Sequence, residues 1–313
     1  MKRSLLALLA LVAVAATACG DDADDASSSS DQPQTSGGVA PEAQAYEVDE
    51  MVETFVDPTR PTPEPSPAPE RTLVTTIRYP VGDGPFPLIV FAHGFNGHPR
   101  KFVEVTTAWA ERGYVVALPT FPLTNDEAPN GTDLADLPAQ PGDMSFVLDE
   151  VLALNEEEGS ALEGLIEDEH IGAGGLSAGG ATTYGFVFHD CCRDARIDAA
   201  VVMAGIMVPF GEGEFDLSGV PLLVLHGDAD PLLNYSNGVE AYAQAEPPKF
   251  FVTLIGGSHA SPFEDDDTPY DVLVATVTLD FWDAYLLDDA AGVDRLLVDG
   301  NVPGLATVES DTG

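Results

Sequence analysis

Apolar residues in this chain gather into short runs, and the runs alternate with segments whose apolar positions recur every three or four residues. The runs, rich in Val, Ile and Leu, predict strands over 87–92, 114–118, 170–176, 197–204, 221–225 and 249–255. The helical period between them predicts helices over 99–112, 143–158, 178–189, 236–245 and 270–287. Apolar runs without polar alternation suit strands covered on both faces. The expected fold class is therefore α/β, a mostly parallel central sheet with helices on both faces. Two further strand-like pieces, 46–56 and 72–79, precede this block, and a proline-rich stretch over 57–70 reads as an extended connector between them.

The ends of the chain read differently. Lys2 and Arg3 precede an uncharged run from Leu5 to Ala18, which predicts an export signal over 1–18 that is too short to anchor in a bilayer as a stable span. Ala16-Thr17-Ala18-Cys19 resembles a bacterial lipobox, whose cysteine is lipidated; an ordinary secretory peptide is the alternative. Residues 19–45 are an Asp/Ser/Gln/Pro-rich tether, 46–290 the folded domain and 291–313 a C-terminal tail. The protein is expected to be exported, as a cell-envelope lipoprotein or a secreted protein, to meet the membrane only through Cys19, and to be a monomer.

Charge narrows the partners. Against 53 Asp and Glu stand 12 Lys and Arg, a net charge of −41, so attraction to nucleic acid or anionic headgroups is excluded as a function. Such a surface, with Lys2, Lys101 and Lys249 as its lysines, suits hydration in high salt, and a lineage bias toward acidic exported proteins is the alternative reading. Two long acidic loops, 121–141 and 207–219, follow predicted strands and belong at the carboxyl edge of the sheet, where folds of this kind bind ligands.

Candidate chemistry falls at three such edges. Gly175-Leu176-Ser177-Ala178-Gly179 lies where a strand gives way to a helix, the turn that holds a serine hydroxyl clear of the sheet. His226-Gly227-Asp228-Ala229-Asp230-Pro231 ends the next strand but one, and Gly256-Gly257-Ser258-His259 follows the strand after that. Serine, acid, histidine in this order predict Ser177 as nucleophile and His259 as base. Asp230 is the favoured orienting acid, with Asp228 as its competitor. His93-Gly94-Phe95-Asn96-Gly97 predicts a turn whose Phe95 N–H joins the Ala178 N–H in an oxyanion hole, with His93 bracing the loop. His98, His170, His189 and His226 read as surface or turn residues without metal-ligand spacing, so neither metal nor cofactor is expected. Cys191-Cys192 is either a vicinal disulfide or two thiols, and the acidic run 264–267 a solvated face rather than a calcium site.

Phe91-Ala92-His93-Gly94-Phe95, the serine turn, Asp228-Ala229-Asp230-Pro231 and Gly257-Ser258-His259 together resemble the α/β-hydrolase family. The similar branch holds cutinase-like polyester hydrolases, dienelactone-hydrolase-like esterases and platelet-activating-factor acetylhydrolase-type enzymes. The resemblance spans roughly 72–287 and implies a serine carboxylester hydrolase that takes a small or polymeric ester. Polyester hydrolases of this kind carry a methionine after the nucleophile and a clamping tryptophan. Here Ala178 takes the first place and no tryptophan lies between Ser177 and Asp230, so the implied activity is ester hydrolysis without aromatic-polyester specialisation. A serine peptidase or amidase of the same fold, and a binding protein that has lost the chemistry, are the alternatives.

Overall fold

Every side chain of β3 (Phe86–Ala92) is buried. Successive side chains of a strand point to opposite faces, and Leu88 and Val90 accordingly enter one apolar core while Ile89 and Phe91 enter another. The computed structural model describes residues 45–63 and 70–313, and among these β3 lies inside a nine-stranded sheet.

The other strands are β1 (Glu47–Pro61), β2 (Glu70–Val81), β4 (Val115–Thr120), β5 (Ile166–Leu176), β6 (Ala199–Met203), β7 (Leu222–Gly227), β8 (Lys249–Leu254) and β9 (Ala306–Asp311). Their order across the sheet is β1-β2-β4-β3-β5-β6-β7-β8-β9. The strands from β4 to β8 in this order run parallel, and the antiparallel β1–β2 hairpin and β9 close the two edges. Helices α2 (Gln140–Glu156), α3 (Ala178–Phe188) and α4 (Ser236–Gln244) cover the Leu88 face; α1 (Val103–Arg112), α5 (Asp271–Leu286) and α6 (Ala291–Asp299) cover the other. The expected α/β class with a mostly parallel sheet is thus observed. No helix among the described residues is long and apolar enough to cross a membrane.

Three expectations need correction. The predicted tail over 291–313 belongs to the fold: Leu296 of α6 is buried in the core, and β9 pairs with β8 from Leu254–Ala306 to Lys249–Asp311. Its sequence, ATVESD, carries little apolar signal because an edge strand is held by backbone pairing and needs only one covered face. The connector predicted over 57–70 is in part strand, since β1 runs on to Pro61, whose partner is Glu70. Prolines are tolerated at an edge, and the Asp57 carboxylate holds the accompanying irregularity by accepting the Thr59 N–H and the Arg60 Nε–H at 2.8 and 2.6 Å. Helix α2 starts at Gln140 rather than at 143, after a 3₁₀ turn Leu134–Ala139; Pro141 fits the first helical turn, where an amide proton has no partner. The predicted export signal and the tether up to residue 44 lie outside the described residues.

The strand order creates the position for a site. The chain leaves β3 toward β4 on one side and later adds β5 on the other, so β3 stands at a switch of direction. Ala92 lies opposite Gly175 in register, and the turns that follow β3 and β5 therefore emerge side by side.

Candidate active site

Between β5 and α3 the backbone turns so sharply that Ser177 takes φ 59° and ψ −115°, a left-handed conformation that costs a non-glycine residue of the order of 1–3 kcal/mol. Neighbouring structure holds it there. The Ser177 N–H donates to Met203 O at the end of β6 at 2.9 Å, and the Ala181 N–H returns to Ser177 O at 2.9 Å. The flanking glycines are required by space: a Cβ at Gly179 would strike the carbonyl oxygen of Ala92, and one at Gly175 the carbonyl oxygen of Gly179. The hydroxyl consequently stands above the sheet edge, half-buried, at the N-terminus of α3.

Two other loops meet it. His259, after β8, places Nε2 2.7 Å from Ser177 Oγ, and its Nδ1 lies 2.6 Å from Asp230 Oδ2 in the loop after β7. With the Nδ1–H donating to the carboxylate, Nε2 keeps its lone pair and accepts from the serine O–H. Asp230 is well supplied with donors, since its Oδ1 also accepts the Leu232 and Leu233 amides at 2.7 and 2.9 Å. Burial of this carboxyl works against its charge, but the bonds from His259, Leu233 and Leu232 outweigh it and hold the group below the usual carboxylate range. The competitor is elsewhere: Asp228 Oδ1 accepts the Gly256 N–H at 2.6 Å and ties the two loops together.

The loop after β3 closes the fourth side. A Cβ at Gly94 would lie 3.2 Å from the Ser177 Cβ, so this backbone is packed against the serine. Among the described residues neither the Phe95 N–H nor the Ala178 N–H is engaged in a hydrogen bond. His93 braces the loop as expected, its Nδ1–H donating to Gly94 O at 2.8 Å and its Nε2 accepting the Phe121 N–H at 3.1 Å. Burial without a charged partner pushes the His93 imidazole down to about 4. Lys101 spans from this loop to the one after His259, donating to Asn96 O at 3.0 Å and lying 3.8 Å from Glu264.

The remaining sequence candidates find plainer places. His98 caps the 3₁₀ turn Pro99–Lys101 by accepting the Arg100 N–H at 3.3 Å, and His170 pairs with Glu167 at 2.8 Å. Asp265 in the acidic run accepts the Val103 and Glu104 amides at 2.8 and 3.1 Å and so caps α1. His189 and His226 are not surface residues: both are buried. The His189 ring packs edge-on against Phe210 and Phe215, fastening the end of α3 to the loop after β6. Cys191 and Cys192 form a vicinal disulfide. Their sulfurs and a His189 nitrogen lie within 4.8 Å of one another, but sulfurs bonded to each other are not the thiolates a metal requires.

His226 is the site residue that sequence reasoning missed. Its Nε2 lies 3.2 Å from Asp230 Oδ2 and 3.3 Å from Leu233 O, and its Nδ1 has no hydrogen-bond partner among the described residues. The four-residue spacing between His226 and Asp230 was visible, but the turn that folds one onto the other was not.

The assembly can move a proton from a hydroxyl to an imidazole, and the loop after β3 packs against the serine that carries the hydroxyl. No protein-family model matches the chain, and no curated protein matches it.

Proposed function

We propose that this chain is an α/β-hydrolase that cleaves carboxylic esters through an acyl-serine intermediate. The observation that carries the reading is the continuous relay Ser177–His259–Asp230, built from loops after β5, β8 and β7, with the serine held at φ 59°. The Ser177 oxygen attacks the ester carbonyl carbon and its proton passes to His259 Nε2. The carbonyl oxygen becomes an oxyanion that accepts from the Phe95 and Ala178 amides, helped by the positive end of α3. Collapse expels the alcohol, which takes the proton from His259. Water then attacks the acyl carbon by the same proton path, releasing the acid and restoring the serine. Asp230 keeps the Nδ1 proton in place and stabilises the imidazolium formed in each half.

The polar relay sits beside an apolar wall. Ala178 packs in a small cluster with Leu137, Phe210, Ile206 and Val208, and the Phe95 ring in the loop after β3 is 42% exposed. This favours esters with apolar groups on both sides of the carbonyl. The test is hydrolysis of para-nitrophenyl esters from acetate to laurate, with Ser177→Ala alongside. Activity that vanishes with Ser177, together with labelling of Ser177 by a fluorophosphonate, supports the reading. A folded, inactive and unlabelled parent overturns it, and equal rates on a matched anilide would move it to an amidase. We further propose that the protein is exported through the signal over 1–18 and lipidated at Cys19, which incorporation of labelled palmitate into the parent but not into Cys19→Ser tests.

A further inference from the structure

We infer that Gln140 is a positioning residue of the oxyanion site, its side-chain amide tying the backbone segment that presents the Phe95 N–H to the helix turn that presents the Ala178 N–H. The inference rests on the ester-hydrolase reading of the site and adds to it a residue outside the triad and the oxyanion pair.

Gln140 is completely buried at the start of α2. Its Nε2–H donates to Thr124 Oγ1 at 2.7 Å, and its Oε1 accepts the Thr182 Oγ1–H at 2.6 Å. Each neighbour reaches one half of the oxyanion site. The main-chain oxygen of Thr124 accepts the Asn96 N–H at 2.7 Å, directly after Phe95, where Asn96 takes φ 60°. Thr182 stands one turn beyond Ala178 in α3, its hydroxyl 3.0 Å from Ala178 O. One hydrogen-bonded bridge therefore runs from the loop after β3, through the loop after β4, to the first turn of α3. The two amides belong to chain segments more than eighty residues apart, and the β3–β5 backbone pairing that aligns their strands ends at Ala92 and Gly175, before either amide.

The bridge is itself anchored. Asp136 and Asp143 flank Gln140 in sequence, and both carboxylates are gripped by the buried guanidinium of Arg71 on β2. The shortest contacts are 2.6 Å to Asp136 and 2.5 Å to Asp143. This clamp denies α2 the freedom to slide and so fixes where the amide sits. The chemistry of the side chain is also specific: one donor and one acceptor are needed on a neutral, fully buried group, which an amide satisfies and a carboxylate or an aliphatic chain does not. An oxyanion hole depends on donors set in place before the charge develops, and displacement by about 1 Å costs of the order of a hundredfold in rate.

The test compares the parent chain with Gln140→Met, which keeps the length and loses both bonds, and with Thr182→Val, which cuts only the α3 end of the bridge. The readouts are kcat and KM for para-nitrophenyl butyrate and the inhibition constant of an alkyl trifluoromethyl ketone. Ser177 Oγ adds to the carbonyl carbon of this ketone, the serine proton passes to His259, and the ketone oxygen becomes the oxyanion. We expect kcat to fall about 10- to 100-fold in both variants, the inhibition constant to rise by the same factor, and KM to change less than about threefold. The double variant should be no slower than Gln140→Met alone. Parent-like kcat in a folded variant, a loss carried by KM, an unchanged inhibition constant, or losses that multiply in the double variant would each overturn the inference while leaving the esterase reading intact. If Gln140→Met does not fold, the near-isosteric Thr182→Val decides the same questions alone. An inactive parent overturns both.

Discussion

His226 and His259 share one oxygen: Oδ2 of Asp230 lies 3.2 Å from His226 Nε2 and 2.6 Å from His259 Nδ1. A neutral His226, its imidazole held below the usual range first by burial, donates its Nε2–H to Leu233 O at 3.3 Å and so braces the turn whose Leu233 amide holds the other oxygen of this carboxylate. His226→Phe should lower kcat for ester hydrolysis about tenfold with little change in KM, and His226→Gln, which keeps a donor, should recover most of it. Steady-state rates on one ester check this, and equal rates for all three proteins would remove His226 from the site.

The two aspartates after β7 should separate cleanly. Asp230→Asn leaves His259 without its orienting charge and should reduce kcat by about ten-thousandfold. Asp228→Asn touches only the Gly256 N–H, so kcat should stay within about threefold and stability should fall by about 1 kcal/mol. Rates and denaturant midpoints for the two variants distinguish them, and reversed effects would exchange the assignments.

Acid should destabilise the protein partly through His93. In the folded chain its imidazole protonates only near 4, against 6.5 when exposed. Below about pH 6.5 the unfolded chain therefore binds the proton that the native state refuses. This contribution is complete above pH 6.5 and is lost as the pH falls toward 4, by about 3 kcal/mol. Asp280, pushed up to about 6 by burial against the pull of Arg295, acts in the opposite sense over an overlapping range. His93→Gln can keep a bond to Gly94 O and one from Phe121 N–H, and it should flatten the fall in stability between pH 7 and pH 4.5. Denaturant midpoints across that range test it, the same slope in parent and variant being the adverse result.

The Arg71 clamp should matter more for stability than any surface pair. Burial opposes its charge, but the carboxylates of Asp143 and Asp136 more than offset that and raise its pKa. Arg71→Met takes from two buried acids the guanidinium they share, leaving Asp143 only with the part-exposed Arg60 2.9 Å away, and should cost about 3–5 kcal/mol. Adding Asp136→Asn and Asp143→Asn should return part of this, because neutral amides replace carboxylates that have lost their shared cation. Thermal melts of the single and triple variants decide, and a single variant as stable as the parent would contradict the role.

The serine turn was legible because local chemistry dictates it: a strand ending in Gly175, a serine forced to positive φ, and a helix that needs Gly179 against Ala92. The parallel strands were legible for a similar reason, since strands covered on both faces must be apolar throughout. Their ends shifted by a few residues, where backbone pairing rather than composition sets the limit. Strand β9 and helix α6 escaped notice because an edge strand such as ATVESD owes its place to the backbone of β8.

At the site, chain order was enough to nominate Ser177, Asp230 and His259, because each closes a strand and the order of strand ends constrains which loops can meet. Sequence alone preferred Asp230 over Asp228 by turn geometry, and the bond to His259 agrees with that preference. What the tertiary structure alone decided are the long-range polar contacts: Arg71 with Asp136 and Asp143, Gln140 between Thr124 and Thr182, and His226 on Asp230. Single polar residues carry no periodicity, and their partners are set by which loops the sheet order brings together. Hydrophobic pattern therefore determined the layers and strand ends, while the pairing of buried donors and acceptors was settled only when the chain had closed around them.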